Sequence, residues 1–242
     1  MAPNMRVAVV TGASSGIGAA TCRALRAEGW RVVGLSRSPA PDADEHEACD
    51  VSDRAMVDEV AARVLKRHPR IDLLVNNAGI PARGAFLDID PERIDAVTRT
   101  NYLGSVWCLR AFLPGLEPGT HVVNLVSVSG QIALGPYSAA KHAQLAFSRS
   151  VAAELSGRGV AVHTINPGFV ETPGFPQTGR FKFGLGRLVV TPDYVAKKIV
   201  GSLKRRRREM IIPFWYRPAG WVQAFFPATL SRIMGRLGIK DV

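Results

Sequence analysis

The sequence predicts an α/β fold, one domain built on a doubly wound, mainly parallel sheet of seven strands with helices on both faces. Three observations predict it. Short β-branched apolar runs recur along the chain and alternate with amphipathic stretches of helical period, the order that a parallel sheet requires. The first run, Val7-Ala8-Val9-Val10, breaks at once into a turn dense in small residues and then a helix. The 242 residues, 47% hydrophobic and 21% charged, suffice to bury about three quarters of the unfolded surface in a single unit, although length alone would permit two.

Composition narrows the class. Cys22, Cys49 and Cys108 are scattered, odd in number and not in C-x-x-C spacing, so neither a disulfide framework nor a metal site is expected. They read as small buried hydrophobes in a reducing compartment. The start, MAPNMRVAVVTG, has too short an apolar run for a signal peptide, and a cytoplasmic location is expected. The net charge of +11 favours anionic company: a phosphorylated cofactor, an anionic membrane surface or nucleic acid.

In chain order, Gly12, Gly16 and Gly18 leave no Cβ where the chain turns sharply, where backbone N–H groups approach a phosphate, and where the new helix lies tight on the strand. The helix N-terminus brings unpaired N–H groups and about half a positive charge to the anion. Gly12, Ser14, Ser15, Gly16, Ile17 and Gly18 form the expected cradle; an ordinary tight βα turn would share the three glycines alone. A second strand, Arg31 to Leu35, ends in Ser36-Arg37. An NAD-preferring dinucleotide fold places an acid here on the ribose 2′-hydroxyl, whereas an NADP-preferring one supplies an arginine for the 2′-phosphate, so NADP is expected. Residues 39–46 read as a polar loop, and Ala48 to Val51 as a short third strand.

A helix from about Ser52 carries an apolar stripe of Met56, Val57, Val60, Ala61, Val64 and Leu65, which is core. The fourth strand, Ile71 to Val75, runs into Asn76-Asn77-Ala78-Gly79, small residues suited to a chain passing beneath a nucleotide. Asp90-Pro91 opens the next helix with a capping side chain and a proline at its first position. Asn101 follows within it, a polar residue in an apolar stretch that would otherwise read as a surface amide. A fifth strand, His121 to Val126, delivers Ser127 at its C-terminal end, where open α/β sheets bind ligands. Tyr137 and Lys141 stand four apart on one helix face. An ammonium about 4 Å from the phenol, at an effective dielectric of about 20, would favour phenolate by about 4 kcal/mol, roughly three pKa units before desolvation, bringing the phenol near neutrality. A sixth strand, Val160 to Ile165, leads into Asn166-Pro167-Gly168-x-Val170-x-Thr172.

In this order and combination the turn Thr11-Gly12-x-x-x-Gly16-Ile17-Gly18, Asn76 to Gly79, Asn101, Ser127, Tyr137, Lys141 and the Asn166 to Thr172 loop resemble the short-chain dehydrogenases/reductases, closely over residues 6–172 and in outline beyond. The resemblance implies a Rossmann-type domain over 1–242 that uses a nicotinamide cofactor. Tyr137 would be the acid/base, with Lys141 tuning it and holding the nicotinamide ribose. Ser127 would orient the carbonyl or hydroxyl, and Asn101 would hold a water of the proton relay. Asp50 and Val51 fall where the family contacts adenine; Asn77, Ala78 and Gly79 lie under the nucleotide; Pro167, Gly168, Val170 and Thr172 belong to the loop at the nicotinamide. A homodimer or homotetramer is also implied. The Ser127 to Tyr137 segment is shorter than is usual in the family, which predicts a tighter substrate-side loop and leaves Ser129 a weaker rival for the serine role.

Beyond this, residues 173–190 hold Gly174, Gly179, Gly184 and Gly186 with Phe175, Phe181 and Phe183, the makings of a substrate lid or of a plain surface loop. The run Lys204 to Arg208 closes a helix at its dipole-matched end. It carries no aromatics or base-reading groups, so no nucleic acid partner is expected. Residues 210–240 combine Phe214, Trp215, Tyr216, Trp221, Phe225 and Phe226 with an apolar stripe of Leu230, Ile233, Met234 and Leu237 flanked by Arg232 and Arg236. Three prolines forbid one spanning helix, and a peripheral membrane face, a dimer contact and a pocket wall all remain open. The expected function is NADP-dependent reduction of a ketone or aldehyde, or oxidation of the matching alcohol, on a small apolar or lipid-like substrate. The alternatives are a non-catalytic NADP-sensing module and a basic membrane-associated protein.

Overall fold

Valines at successive positions turn apolar side chains to both faces of a strand, so β1 (Val7–Thr11) is buried along its whole length. The computed structural model describes residues 5–132, 134–177, 189–205, 208–226, 228–229 and 232. Among the described residues seven strands pair in parallel in the order β3-β2-β1-β4-β5-β6-β7, with β2 (Arg31–Ser36), β3 (Glu45–Ala48), β4 (Leu73–Asn76), β5 (His121–Leu125), β6 (Ala161–Pro167) and β7 (Glu209–Ile212). The sheet separates two apolar cores. Ala8 and Val10 face α1 (Gly16–Ala27) and α6 (Pro192–Arg205), whereas Val7 and Val9 face α2 (Arg54–Arg67), α4 (Gly104–Phe112) and α5 (Gly135–Ser156). Strand order reverses between β1 and β4, which opens a crevice beyond their C-terminal ends.

Four expectations are corrected. The third strand is Glu45–Ala48, beginning inside the 39–46 segment expected to be loop and ending at Ala48, where the expected strand starts, and the apolar Cys49 and Val51 follow it as buried residues. An edge strand pairs on one side only, and β3 is held there by charge. Glu45 meets Arg31, Arg67 and His68, and Glu47 meets Arg63 and Arg67. In α2 the buried stripe is Val57, Val60, Ala61 and Val64; Met56 is exposed and Leu65 half-buried. The capping side chain there is Asp53, which accepts from the Met56 N–H at 3.2 Å, whereas Asp90 stands at the N-cap of α3 (Pro91–Thr98) without a side-chain cap. Met210 belongs to β7 and is buried, so the exposed aromatic segment begins only at Phe214.

After β7 a short turn, Phe214–Tyr216, leads into α7 (Arg217–Phe225). No described helix is long and apolar enough to cross a membrane. Lys204, the first of the basic run, pairs with Glu28 at the end of α1 at 2.7 Å, tying α6 to α1. Arg206, Arg207, most of the expected lid (178–188) and Leu230, Ile233, Met234, Arg236 and Leu237 lie outside the described residues.

Burial opposes ionisation of Glu47, yet hydrogen bonds from Arg67 and Arg63 outweigh it and hold the carboxyl below its usual range. A lowered folded pKa gives stability that is present above the ordinary carboxylate range and is lost as pH falls through the folded value. Glu47→Gln is therefore expected to cost about 1 kcal/mol near pH 7, a fall of roughly 2–4 °C in melting temperature. Thermal melts of the two proteins at about pH 3 should converge.

Candidate active site

Two adjoining cavities open at the C-terminal ends of the central strands, a cleft of about 320 Å³ and a pocket of about 90 Å³, sharing Ile17, Leu125, Thr172 and Phe175. The cleft lies over the glycine turn. Gly12 and Gly16 have φ of 66° and 55°, which side chains rarely adopt, and a Cβ on Gly12 would stand 2.9 Å from the Ala78 Cα. The turns after β1 and β4 are stitched together. Thr11 Oγ1 accepts from the N–H groups of Asn77 and Ala78 at 2.9 and 3.0 Å, and Asn77 Nδ2 donates to the Thr11 and Gly12 carbonyls at 2.8 and 3.3 Å. Ser15 takes the N-cap position of α1 without bonding the helix through its side chain.

Gly12, Ser14, Ser15, Gly16, Ile17, Ser36, Arg37, Asp50, Val51, Asn77, Ala78, Gly79, Lys141 and Thr172 all line the cleft, and Ser38 and Cys49 join them. Ser36 is buried, and its hydroxyl donates to the Ser38 carbonyl at 2.7 Å. The Arg37 side chain is 70% exposed at the rim, with one loose ion pair to Asp50 at 3.9 Å. Gly18 lies behind the turn and lines neither cavity; a Cβ there would fall 2.1 Å from the Gly12 carbonyl oxygen, so its smallness serves helix-on-strand packing.

The smaller pocket gathers Ser127, Tyr137, Pro167, Gly168 and Val170. Ser127 caps the 3₁₀ turn Val128–Gln131, its Oγ accepting from the Ser129 N–H at 3.1 Å, and Tyr137 lines the same pocket, where the Ser127 side chain acts to lower its pKa. Lys141, one turn further along α5, is 3% exposed. Its Nζ donates to the Leu125 carbonyl at 2.9 Å and to Gln144 Oε1 at 2.8 Å, and Gln144 Nε2 donates to Ser105 Oγ at 2.7 Å. The amine stands 6.0 Å from the centre of the Tyr137 ring.

The two hydrogen bonds of the amine go to a backbone carbonyl and a side-chain amide rather than to the phenol. The partners given to the amine are neutral acceptors, so burial dominates both groups: it drives the Lys141 pKa down to about 7 and raises that of Tyr137, with Ser127 pulling the phenol the other way. In the chain by itself the phenol stays protonated at neutral pH. Asn101 is fully buried in the π-helical turn Arg99–Leu103 between α3 and α4. Its Oδ1 accepts from the Ile80 N–H at 2.8 Å and its Nδ2 donates to the Ile80 carbonyl at 3.0 Å, so the amide braces the chain just after Gly79 and lines neither cavity.

Two residues of this region escaped the sequence. Gln144 is a buried polar residue three positions after Lys141, which places it on the same helix face, and that spacing was the available signal. Gln177 carried none, because its position depends on how the segment after Thr172 folds back. Phe175, expected in a lid, packs its ring 5.3 Å from that of Tyr137 at 60°. The C-terminal segment reaches the same wall: Tyr216 packs against Phe169, and a Cβ on Gly168 would fall 2.2 Å from the Tyr216 ring.

Comparison with known proteins agrees with this geometry. The family profile described as short chain dehydrogenase matches residues 6–181. An uncharacterized oxidoreductase of Staphylococcus haemolyticus is 37% identical over 217 residues, covering 83% of this chain and 91% of the relative. A short-chain dehydrogenase of Burkholderia cenocepacia solved in complex with NADP superposes with a TM-score of 0.77 at 25% identity, over 86% of this chain and 96% of that one. A variant of the actinorhodin polyketide ketoreductase solved with NADPH superposes with a TM-score of 0.76 at 28% identity, over 88% and 97%.

Proposed function

The chain belongs to the short-chain dehydrogenase/reductase family, and we propose that it is an NADP-dependent enzyme that reduces a ketone or aldehyde, or oxidises the matching secondary alcohol, by hydride transfer. The observation that carries this reading is that Ser127 and Tyr137 line one pocket adjoining the glycine-turn cleft, with the buried Lys141 one helical turn from Tyr137. The cleft suits a dinucleotide, because the glycine turn and the start of α1, Gly12 and Ser14 to Ile17, line it where a helix N-terminus can receive a phosphate. Gly12 and Ser14 to Ile17 would hold the phosphates, Asp50 and Val51 the adenine, Asn77 to Gly79 the middle of the cofactor, and Lys141, Pro167, Gly168, Val170 and Thr172 its nicotinamide end. When bound, the nicotinamide supplies or takes the hydride.

The protein's own groups handle the proton. The raised pKa of Tyr137 keeps a proton on the phenol, ready for the carbonyl oxygen as negative charge develops there, and Ser127 offers a second donor to the same oxygen. The Lys141 ammonium favours the phenolate left behind. Asn101 acts as a positioning residue through Ile80. Ser36 in place of an acid and the exposed Arg37 favour NADP over NAD. The apolar walls of the small pocket suit an apolar substrate, and Phe175 over Tyr137 supports the lid reading.

A separate observation favours a membrane-facing tail. Phe214, Trp215, Trp221, Phe225 and Phe226 are all exposed, with exposed Arg217 and Arg232 among them, on a chain of net charge +11. Aromatic and cationic side chains together suit an anionic lipid surface on the cytoplasmic side. In solution the enzyme is expected as a homodimer or homotetramer.

Tyr137→Phe should lower kcat/KM for NADPH oxidation across a carbonyl panel by about 10²-fold or more, while NADPH still binds. Binding without turnover in the unaltered enzyme would instead favour the sensing module. The ammonium of Lys141 is present below its lowered pKa and lost above it, so kcat/KM should fall as pH rises through about 7. Arg37→Glu should cut the NADP over NAD preference by about tenfold or more, measured as a ratio of kcat/KM values. Flotation with phosphatidylserine vesicles at low salt is expected, and the double change Trp221→Glu and Phe225→Glu should abolish it.

A further inference from the structure

We propose that His46 is a positioning residue for the choice of cofactor: it fastens the backbone that carries Arg37, so that the guanidinium is presented to a 2′-phosphate. This rests on the NADP reading of the cleft and adds a residue to it.

His46 is exposed on the edge strand β3, opposite Gly34 of β2 in the register. Its ring reaches two residues further along β2, where Nε2 stands 3.1 Å from the Ser36 carbonyl oxygen. That oxygen can only accept, so Nε2 carries the hydrogen and donates it. The same oxygen accepts from the Cys49 N–H at 3.2 Å, and the two donors together use both of its lone pairs.

The next residue is Arg37. A peptide unit is planar, so a carbonyl held by two donors also sets the direction of the Arg37 N–H at the other end of the same unit. On the far side of Arg37 the Ser36 hydroxyl donates to the Ser38 carbonyl at 2.7 Å. The backbone is therefore fastened before and after Arg37. The Arg37 side chain, by contrast, is 70% exposed, with one ion pair among the described residues, to Asp50 at 3.9 Å. Ser36, Arg37, Ser38 and Asp50 all line the cleft, whereas His46 lines neither cavity, so changing it leaves the lining residues as they are. A long side chain loses less freedom on meeting an anion when its own Cα is already placed, and a guanidinium grips a phosphate best when its paired N–H groups are aimed at it. A cofactor without the 2′-phosphate has no use for that aim, so the contribution of His46 is specific to NADP.

Dissociation constants of NADPH and NADH are measured by calorimetry on the full-length protein, unaltered, with His46→Ala and with His46→Gln. The Nε2 of glutamine lies the same number of bonds from the backbone as that of histidine. His46→Ala should weaken NADPH about fivefold, the worth of one hydrogen bond, and move NADH by less than about twofold. His46→Gln should restore most of the NADPH affinity. In an Arg37→Met background His46→Ala should no longer change the ratio of the two constants, since the effect runs through the guanidinium. An equal loss for both cofactors overturns the assignment in favour of a purely structural edge-strand role. So does an NADPH-specific loss that persists without Arg37, or a glutamine variant that binds NADPH as weakly as the alanine one. Unaltered protein that binds NADPH no more tightly than NADH removes the NADP reading and this inference with it, whereas a preference for NADPH untouched by His46→Ala removes the role of His46 alone.

Discussion

A lysine amine carried almost wholly out of water is the constraint on which the rest of the site depends. Removing an ammonium from water is expensive unless its hydrogens find acceptors, and Lys141 finds them at the end of β5, in the Leu125 carbonyl, and on its own helix, in Gln144. Gln144 in turn is held by Ser105 on α4. The amine therefore joins sheet end, α5 and α4 at one point. Neutral acceptors satisfy its hydrogens without neutralising its charge, so its pKa falls to about 7 rather than staying at the ordinary value for lysine. A group balanced between its two protonation states near neutrality can lend positive charge to the phenol when chemistry needs it.

That arrangement needs the cleft beside it to stay open, which is a matter of missing side chains. At the switch between β1 and β4 the backbone of one turn lies within van der Waals contact of the other, and Thr11 with Asn77 closes the gap through four hydrogen bonds. Gly18 and Gly12 answer related needs within a few residues: Gly18 lets α1 lie against the Gly12 carbonyl, and Gly12, which lines the cleft, lets the turn after β4 approach at Ala78. The same motif therefore contributes one packing residue and several lining ones.

The strands and the positions of Tyr137, Lys141 and Ser127 were legible because they follow from local rules: apolar runs make buried parallel strands, and spacing of four puts two residues on one helix face. The failures have equally physical causes. β3 has no apolar run to announce it, since it pairs with β2 through its backbone and its glutamates meet Arg31, Arg63, Arg67 and His68, residues from other elements. The ammonium-phenol distance could not be read from sequence spacing, because i and i+4 fix a common face but not where a long side chain finds its acceptors. Asn101 stood out as a polar residue among apolar ones, and what it braces, the backbone at Ile80, became visible only with the loop after β4 in place. Gln177 is the extreme case, its environment set by a turn of irregular backbone.

The C-terminal segment and the substrate pocket cannot be understood apart. Tyr216 rests where a side chain on Gly168 would stand, and Gly220 brings α7 so close to Gln131 that a Cβ there would fall 2.2 Å from its Oε1. Gly168 belongs to the loop that walls the pocket, and Gln131 ends the turn that Ser127 begins. The C-terminal segment therefore meets the pocket loop and the turn after Ser127 through two close contacts, the Tyr216 ring on Gly168 and the Gln131 side chain on Gly220. Because the exposed aromatics Phe214, Trp215, Trp221 and Phe225 flank these same contacts, the segment that shows its rings to solvent is also the one that backs the pocket loop.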